Sequence, residues 1–220
     1  MEALARWDQV DSPEQLFARA EAVGLSERLS RSIQRKALRT FASWRGPLST
    51  LRLSINLLPQ DLDRPGYEQW LLGEIASAGL MPEQVTVEIV ESNIVADSLE
   101  VAGRLSRLRA AGIRIAIDDF GTGYSSLAYL ASLPLDAIKI DRAMIADIVG
   151  GTRDRIIVKA MIRLARELGL KVIVEGVENP AQLHLLEEWG CDLYQGFLGA
   201  GALDEGELAR FVAAADRSAA

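Results

Sequence analysis

The chain has very little cysteine and histidine: Cys191 and His184 are the single residues of those types among its 220. One cysteine excludes an internal disulfide and fits a reducing compartment, so we expect a cytoplasmic protein. One histidine, in a predicted helix, argues against a histidine-rich metal site and against a Ser-His-Asp triad. No hydrophobic run approaches the roughly 20 residues of a membrane span. We therefore expect no membrane span, and no signal peptide before Trp7.

Basic residues are also in deficit, since 24 Lys and Arg face 31 Asp and Glu and give a formal net charge of −7. Such a charge argues against broad binding to a nucleic-acid backbone. A phosphate-bearing substrate would need local cations to approach this protein, which favours a bound metal. The hydrophobic content of 49% is enough for one large core. We therefore expect a single domain over residues 1–220.

Predicted strands and helices alternate along the chain with short connections. Helix starts are marked by Ser12-Pro13, by Asp97 with Glu100, and by Asn179-Pro180. Strands that alternate with helices indicate a parallel sheet covered by helices, so the expected fold is α/β, a TIM-like (β/α) barrel. The predicted strands cover residues 2–7, 51–56, 85–90, 113–117, 136–140, 171–174 and 193–197.

The segment 117–126, Ile-Asp-Asp-Phe-Gly-Thr-Gly-Tyr-Ser-Ser, is the most informative in the chain. Neighbouring side chains of a strand point to opposite faces, so Asp118 and Asp119 can share a site only where the strand ends and the backbone turns. Gly121 and Gly123 permit such a turn. Two adjacent carboxylates repel unless a cation lies between them. The segment alone leaves two interpretations open, a metal pair or a cap for a helix that starts near Tyr124.

Polar residues lie at or near the ends of six predicted strands. Barrel interiors prefer bulky aliphatic side chains, and the strand ends of a parallel barrel lie on one rim, where active sites form. Clustered carboxylates without a cation would destabilise the fold. Oxygen ligands without histidine or cysteine select Mg²⁺ or Mn²⁺, with Ca²⁺ as a poor substitute. The residues are Asn56, Glu88, Glu91, Asp118, Asp119, Lys139, Asp141, Glu175, Glu178 and Gln195.

Seven segments, in this order along the chain, resemble those of the EAL-domain cyclic di-GMP phosphodiesterases. The resemblance covers nearly the whole chain, and the aspartate segment is its most specific part. The segments are Glu2-Ala3-Leu4 with Arg6-Trp7, Ser54-Ile55-Asn56-Leu57, Glu88-Ile89-Val90-Glu91, the aspartate segment 117–126, residues 133–142, Glu175-Gly176-Val177-Glu178, and Gln195-Gly196-Phe197-Leu198.

The resemblance implies hydrolysis of cyclic di-GMP to linear pGpG with two ions of Mg²⁺ or Mn²⁺, and inhibition by Ca²⁺. It assigns one metal to Glu2, Asn56, Glu88 and Asp118, and the second to Asp118, Asp119 and Glu175. It places Lys139 beside the attacking water, with Glu178 and Gln195 orienting water, and has Glu91 hold the loop that follows Asp118. The implied substrate contacts are Leu4, Arg6, Asp141 and Phe197.

Simpler interpretations remain for several of these residues. Asn56 could cap a turn, and Lys139 could form a lone ion pair with Asp141. Asp141 could instead form a structural pair with Arg142, and Phe197 could be a core or rim aromatic. For the whole chain, the alternatives are a module that binds cyclic di-GMP with little hydrolysis, and a Schiff-base aldolase that uses Lys139.

The chain also departs from the family pattern. It begins at Met1, without the strand that precedes the Glu-Ala-Leu segment in the family, and shows one strand fewer than the eight of a (β/α)₈ barrel. We therefore expect a trimmed barrel with an open edge. Because an exposed edge strand invites pairing with another chain, we also expect a homodimer.

Overall fold

The computed structural model describes residues 1–7, 12–91, 99–122, 130 and 132–218. The predicted helix-start residue Asp97 and residues 123–126 of the aspartate segment lie outside this part. The chain divides into two compact units. The first consists of Met1–Val87, Ala110–Ile113 and Leu203–Ala220, and the second of Glu88–Arg109 and Arg114–Ala202.

The first unit is mainly helical. Ser12 begins its first helix by accepting a hydrogen bond from the Gln15 N–H, and Pro13 supplies the first helical residue. In the second helix Ser30, Gln34, Leu38 and Phe41 form one buried stripe. The elements are α1 (Pro13–Ala22), α2 (Ser26–Ser43), β1 (Leu53–Leu57), α3 (Pro59–Asp63), α4 (Tyr67–Ser77), the start of β2 (Val85–Val90) and the last helix, α9 (Glu205–Ser218), with 3₁₀ turns at Gly46–Thr50 and Pro82–Gln84.

The second unit holds the end of β2 and the alternating strands and helices that follow it. Strand order in the described sheet follows chain order from β1 to β6. The pairs β3–β4, β4–β5 and β5–β6 are parallel, with Ile138 opposite Val172 and Ile173 opposite Leu193. The elements are α5 (Leu99–Ala110), β3 (Arg114–Phe120), β4 (Ala137–Ile140), α6 (Arg142–Ile145), α7 (Thr152–Glu167), β5 (Lys171–Val174), α8 (Pro180–Glu188) and β6 (Leu193–Tyr194).

Two features stabilise the strands of the second unit: buried apolar side chains, and aspartates that directly precede two of the strands. All four residues of β4 are buried, as expected for a parallel strand covered on both faces. Asp136, just before β4, accepts a hydrogen bond from the Ile115 N–H at 2.9 Å. Asp192, just before β6, accepts one from the Val172 N–H at 2.9 Å. These carboxylates fix the start of one strand against the next.

The structure confirms the predicted α/β class and corrects three strand predictions. Residues 2–7 do not form a strand, because only Glu2 pairs, in an isolated bridge with Ser54. β6 is shorter than predicted and ends at Tyr194, and β3 is longer and continues through both aspartates to Phe120. The described residues thus form six strands rather than seven. None of the described helices has the length and hydropathy needed to cross a membrane.

We predict that Asp192→Asn lowers the free energy of unfolding at neutral pH. Burial acts to raise the pKa of Asp192, but hydrogen bonds from Lys171 and Val172 outweigh it and hold the pKa below its ordinary 3.8. The stabilisation is therefore present above about pH 4 and lost as the pH falls through the lowered pKa. Urea unfolding at pH 7 and pH 3 measures this.

The difference between wild type and Asp192→Asn should shrink at pH 3, because acid protonates the wild-type carboxylate. Asp63→Asn, at an exposed position, is the control and should differ little from wild type at either pH. An Asp192→Asn protein as stable as wild type at pH 7 would contradict the structural role of this carboxylate.

Candidate metal centre

The two aspartates of β3 are brought to one place by a bulge inside the strand. The register with β4 shifts between Ile117 and Phe120. Asp119 has a φ of 55°, a left-handed conformation that is rare for residues other than glycine. An extra residue in one strand re-aims the side chains around it. The sequence predicts that the two aspartates can share a site only where the strand ends. That prediction is wrong, because the backbone irregularity that brings them together lies inside β3, at Asp119.

The bulge groups the aspartates with a carboxylate from the next strand but one. One carboxylate oxygen from each of Asp118, Asp119 and Glu175 lies within 4.8 Å of the others. Glu175 comes directly after β5, and its N–H donates to the Ile140 carbonyl at 3.0 Å. Three carboxylates so close together are a ligand set for a hard divalent cation. The chemistry of the donors therefore fits the metal that the sequence predicts.

Lys139 of β4 is the buried cation of this region. Its side chain is 2% exposed. The ammonium nitrogen lies 2.8 Å from Glu88 Oε2, 3.1 Å from Asp118 Oδ2 and 2.8 Å from Glu175 Oε1. A buried ammonium group is tolerated only when such partners replace its water. The interpretation of Lys139 as a lone ion pair with Asp141 is wrong, since three other carboxylates contact it.

Among the contacts of the described residues, carboxylates outnumber cations around this lysine. Three carboxylates contact one ammonium group, and Asp119 lies with two of them. Glu88 is 2% exposed and Asp118 is 8% exposed, so water screens these charges weakly. A bound divalent cation would relieve the repulsion between carboxylates placed this close together.

Glu91 supports the turn that follows the aspartates. It is buried, and its Oε2 accepts a hydrogen bond from the Gly121 N–H at 2.8 Å. Gly121 has a φ of 103°, so the predicted glycine turn is present at this position. The contact fixes the backbone two residues after Asp119. This geometry supports the predicted role of Glu91, which stays a prediction.

Four further predicted site residues belong to the second unit. Glu178 is exposed. Among the described residues, it does not belong to a group of carboxylates whose oxygens lie within 4.8 Å of one another. Gln195 is exposed, and its backbone N–H donates to the Val174 carbonyl at 2.8 Å. Asp141 caps α6 by accepting from the Ala143 N–H at 2.8 Å. Phe197 is 74% exposed, which excludes a core position for it.

In the first unit, Asn56 and Glu2 form a pair. The Asn56 side-chain amide donates to Glu2 Oε1 at 2.8 Å. Asn56 therefore binds a side chain that is distant in the sequence, which the interpretation as a turn cap does not include. Leu4 is 45% exposed, and Arg6 is exposed with its guanidinium 2.9 Å from the Ala5 carbonyl. The predicted substrate contacts of Leu4 and Arg6 are therefore open to solvent and remain predictions.

A buried polar network behind Asn56 was not anticipated from the sequence. Gln34 Nε2 donates to the Asn56 carbonyl at 3.3 Å and to Asp61 Oδ2 at 3.2 Å, and Ser30 Oγ donates to Asp61 at 2.6 Å. Tyr67 OH donates to Gln34 Oε1 at 2.8 Å. Burial and the Asp61 charge raise the Tyr67 pKa well above 10, so the phenol stays a donor. The available signal was the polar pair Ser30 and Gln34 in the buried stripe of α2.

We predict that Lys139→Met destabilises the protein by about 3–5 kcal/mol, because removal of one partner leaves buried charges uncompensated. Guanidinium unfolding with a chelator present measures the loss, and added Mn²⁺ should restore part of it. Lys159→Met, at an exposed position of α7, is the matched control and should change stability by no more than about 0.5 kcal/mol. Equal stability of wild type and Lys139→Met would show that the carboxylates do not need the ammonium.

The sequence is similar to those of known phosphodiesterases. The sequence is 38% identical over 219 residues to the cyclic di-GMP phosphodiesterase NbdA of Pseudomonas aeruginosa, covering 97% of this chain and 28% of that protein. It is 35% identical over 202 residues to the cyclic di-GMP phosphodiesterase PA2567 of the same organism, covering 90% of this chain and 34% of that protein. The chain thus spans about a third of the length of these curated relatives.

Solved structures show the same fold. The PaMucR phosphodiesterase, in a c-di-GMP complex, superposes with a TM-score of 0.85 at 33% identity, covering 94% of this chain and 86% of that one. Klebsiella pneumoniae BlrP1, in a manganese and cy-diGMP complex, gives 0.82 at 35% identity, with coverages of 91% and 50%. The predicted TIM-like α/β class is thereby confirmed.

The model of the EAL domain family matches residues 1–202 of the sequence. The resemblance noted from the sequence motifs is therefore confirmed, and this chain belongs to the EAL domain family.

Proposed function

We propose that the chain is a metal-dependent phosphodiesterase that hydrolyses cyclic di-GMP to linear pGpG by a two-metal mechanism. The observation that carries this proposal is the buried Lys139 ammonium among Glu88, Asp118 and Glu175, with Asp119 beside them. Related proteins named as cyclic di-GMP phosphodiesterases, and related structures with bound c-di-GMP, support the choice of substrate.

Asp118, Asp119 and Glu175 would hold one divalent ion, and their oxygen donors suit Mg²⁺ or Mn²⁺. When bound, such ions activate water at neutral pH and neutralise the charge of the phosphoryl oxygens. We expect Ca²⁺ to inhibit, because it favours a larger and less regular oxygen shell. The metal-binding roles that the resemblance gives to Glu2 and Asn56 of the first unit remain predictions.

The side chains of the second unit would then perform distinct tasks. A water oxygen attacks phosphorus, the bond from phosphorus to the opposite ribose 3′ oxygen breaks, and that oxygen takes a proton. Lys139 stabilises the negative charge that grows during this step, since the surrounding carboxylates favour its charged form. The same charge argues against a Schiff-base role, which needs a neutral amine. Glu178 and Gln195 would orient water.

We predict that Glu175→Gln lowers the rate of pGpG formation by more than about 100-fold, beyond the loss typical of residues outside the ligand shell. The substitution keeps the size of the side chain and removes the charge that a metal needs. Chromatography of the products with Mg²⁺, Mn²⁺ or Ca²⁺ measures the rate, and calorimetry measures Mn²⁺ binding. Glu187→Gln, at an exposed position of α8, should behave as wild type.

The same experiment separates the proposal from its alternatives. Unchanged hydrolysis by Glu175→Gln would refute the site assignment. Binding of cyclic di-GMP by the wild type without pGpG after long incubation would select a binding module instead. A borohydride-trapped adduct on Lys139 would select the aldolase class.

We also propose that two copies associate along β6, which ends the described sheet. Leu193 and Tyr194 on this strand are 58% and 40% exposed, and edge strands with apolar side chains invite pairing. We predict that wild type sediments as a dimer and that Leu193→Asp sediments as a monomer. Val149→Asp, where Val149 is 46% exposed, is the control and should remain dimeric. A monomeric wild type would rule out this association.

A further inference from the structure

Two methionines pack against the turn that follows the paired aspartates. A Cβ added to Gly121 would lie 3.0 Å from Met161 Cε, 3.1 Å from Met144 Cγ and 3.3 Å from Met144 Sδ. Met144 is on α6 and Met161 is on α7, and both are half-buried. The sulfur of Met144 thus lies close to the Gly121 turn, in a residue that is partly exposed to solvent.

The turn at Gly121 has little freedom to adapt to a change in its neighbours. Its N–H is bound to buried Glu91, its φ is 103°, and Asp119 two residues earlier already has a positive φ. A left-handed conformation of a residue other than glycine, such as that of Asp119, persists only when surrounding contacts hold it. A larger or more polar group at Met144 would therefore act directly on the backbone that carries Asp118 and Asp119.

We propose that Met144 is a modification site at which a hydroperoxide forms methionine sulfoxide and thereby displaces the Gly121 turn. The thioether sulfur attacks the terminal peroxide oxygen, the O–O bond breaks, and water or an alcohol leaves after a proton transfer. Sulfur is oxidised by two electrons and the peroxide is reduced by two. The product is polar and carries an added oxygen.

The contacts at Gly121 determine the consequence of this modification. A Cβ at Gly121 would lie 3.3 Å from Met144 Sδ, so a sulfoxide oxygen on the side of the sulfur that faces Gly121 would crowd this turn. It would also place a polar oxygen where an apolar thioether now packs. The side chain or the turn must move, and movement of the turn breaks the hydrogen bond between Gly121 and Glu91. The effect on hydrolysis rests on the proposed function, whereas the effect on the backbone does not.

The test is a peroxide titration of the full chain, followed by peptide mass spectrometry, amide hydrogen exchange at Gly121 and the hydrolysis assay. Met81, which is 63% exposed in the first unit, is an internal control for general oxidation. We expect Met144 sulfoxide, amide exchange at Gly121 faster by about 10-fold through loss of one hydrogen bond, and hydrolysis slower by about 10- to 100-fold. Methionine sulfoxide reductase should reverse all three changes.

Met144→Leu keeps the volume of the side chain without its sulfur, so it should fold and should resist the effect while Met81 still oxidises. Met161→Leu should remain sensitive, because Met144 is retained. The proposal fails if Met144 stays reduced while Met81 is fully oxidised, or if its sulfoxide leaves exchange at Gly121 unchanged. An untreated protein without hydrolysis would refute the proposed function, and the exchange measurement would still decide this inference.

Discussion

The second unit depends on a buried ammonium group, that of Lys139, and on the carboxylates around it. A charged lysine that is 2% exposed would destabilise the fold unless partners replaced its water. Glu88 of β2, Asp118 of β3 and Glu175, which directly follows β5, supply those partners. The electrostatic requirement of this lysine therefore couples β2, β3 and β5 to β4, and fold stability and site geometry have the same cause.

Asp118 and Glu175 could be predicted as neighbours because the sequence places each one at the end of an apolar run, whereas Glu88 lies within the apolar run of β2. β2 and β5 have the predicted bounds, and buried parallel strands are easy to recognise as continuous hydrophobic segments. Once the strands are parallel, their carboxyl ends lie on one side of the sheet. The approach of Lys139 to Glu88 and Glu175 follows from this rule, although the sequence separation is large.

Other features could not be predicted, because they depend on contacts between distant segments. The bulge at Asp119 has no sequence signal of its own, since aspartate is an ordinary strand-end residue. The bonds of Gln34 to Asp61 and Asn56 need the packing of α2 against the residues after β1. Glu2–Trp7 has a strand-like composition but pairs with β1 at Glu2 alone, because local propensity does not by itself determine how many residues pair.

The strained left-handed backbone at Asp119 explains why this region needs support from several directions. A left-handed aspartate costs of the order of 1–3 kcal/mol and allows both carboxylates to approach Glu175. Glu91 holds the following turn from one side through the Gly121 N–H, and Met144 and Met161 fill the space beside the same glycine. Only glycine satisfies both conditions at position 121, since a side chain there would contact the methionines and oppose the positive φ. Packing against the two methionines thus requires glycine at position 121, just as the approach of the carboxylates to Glu175 requires the left-handed backbone at Asp119.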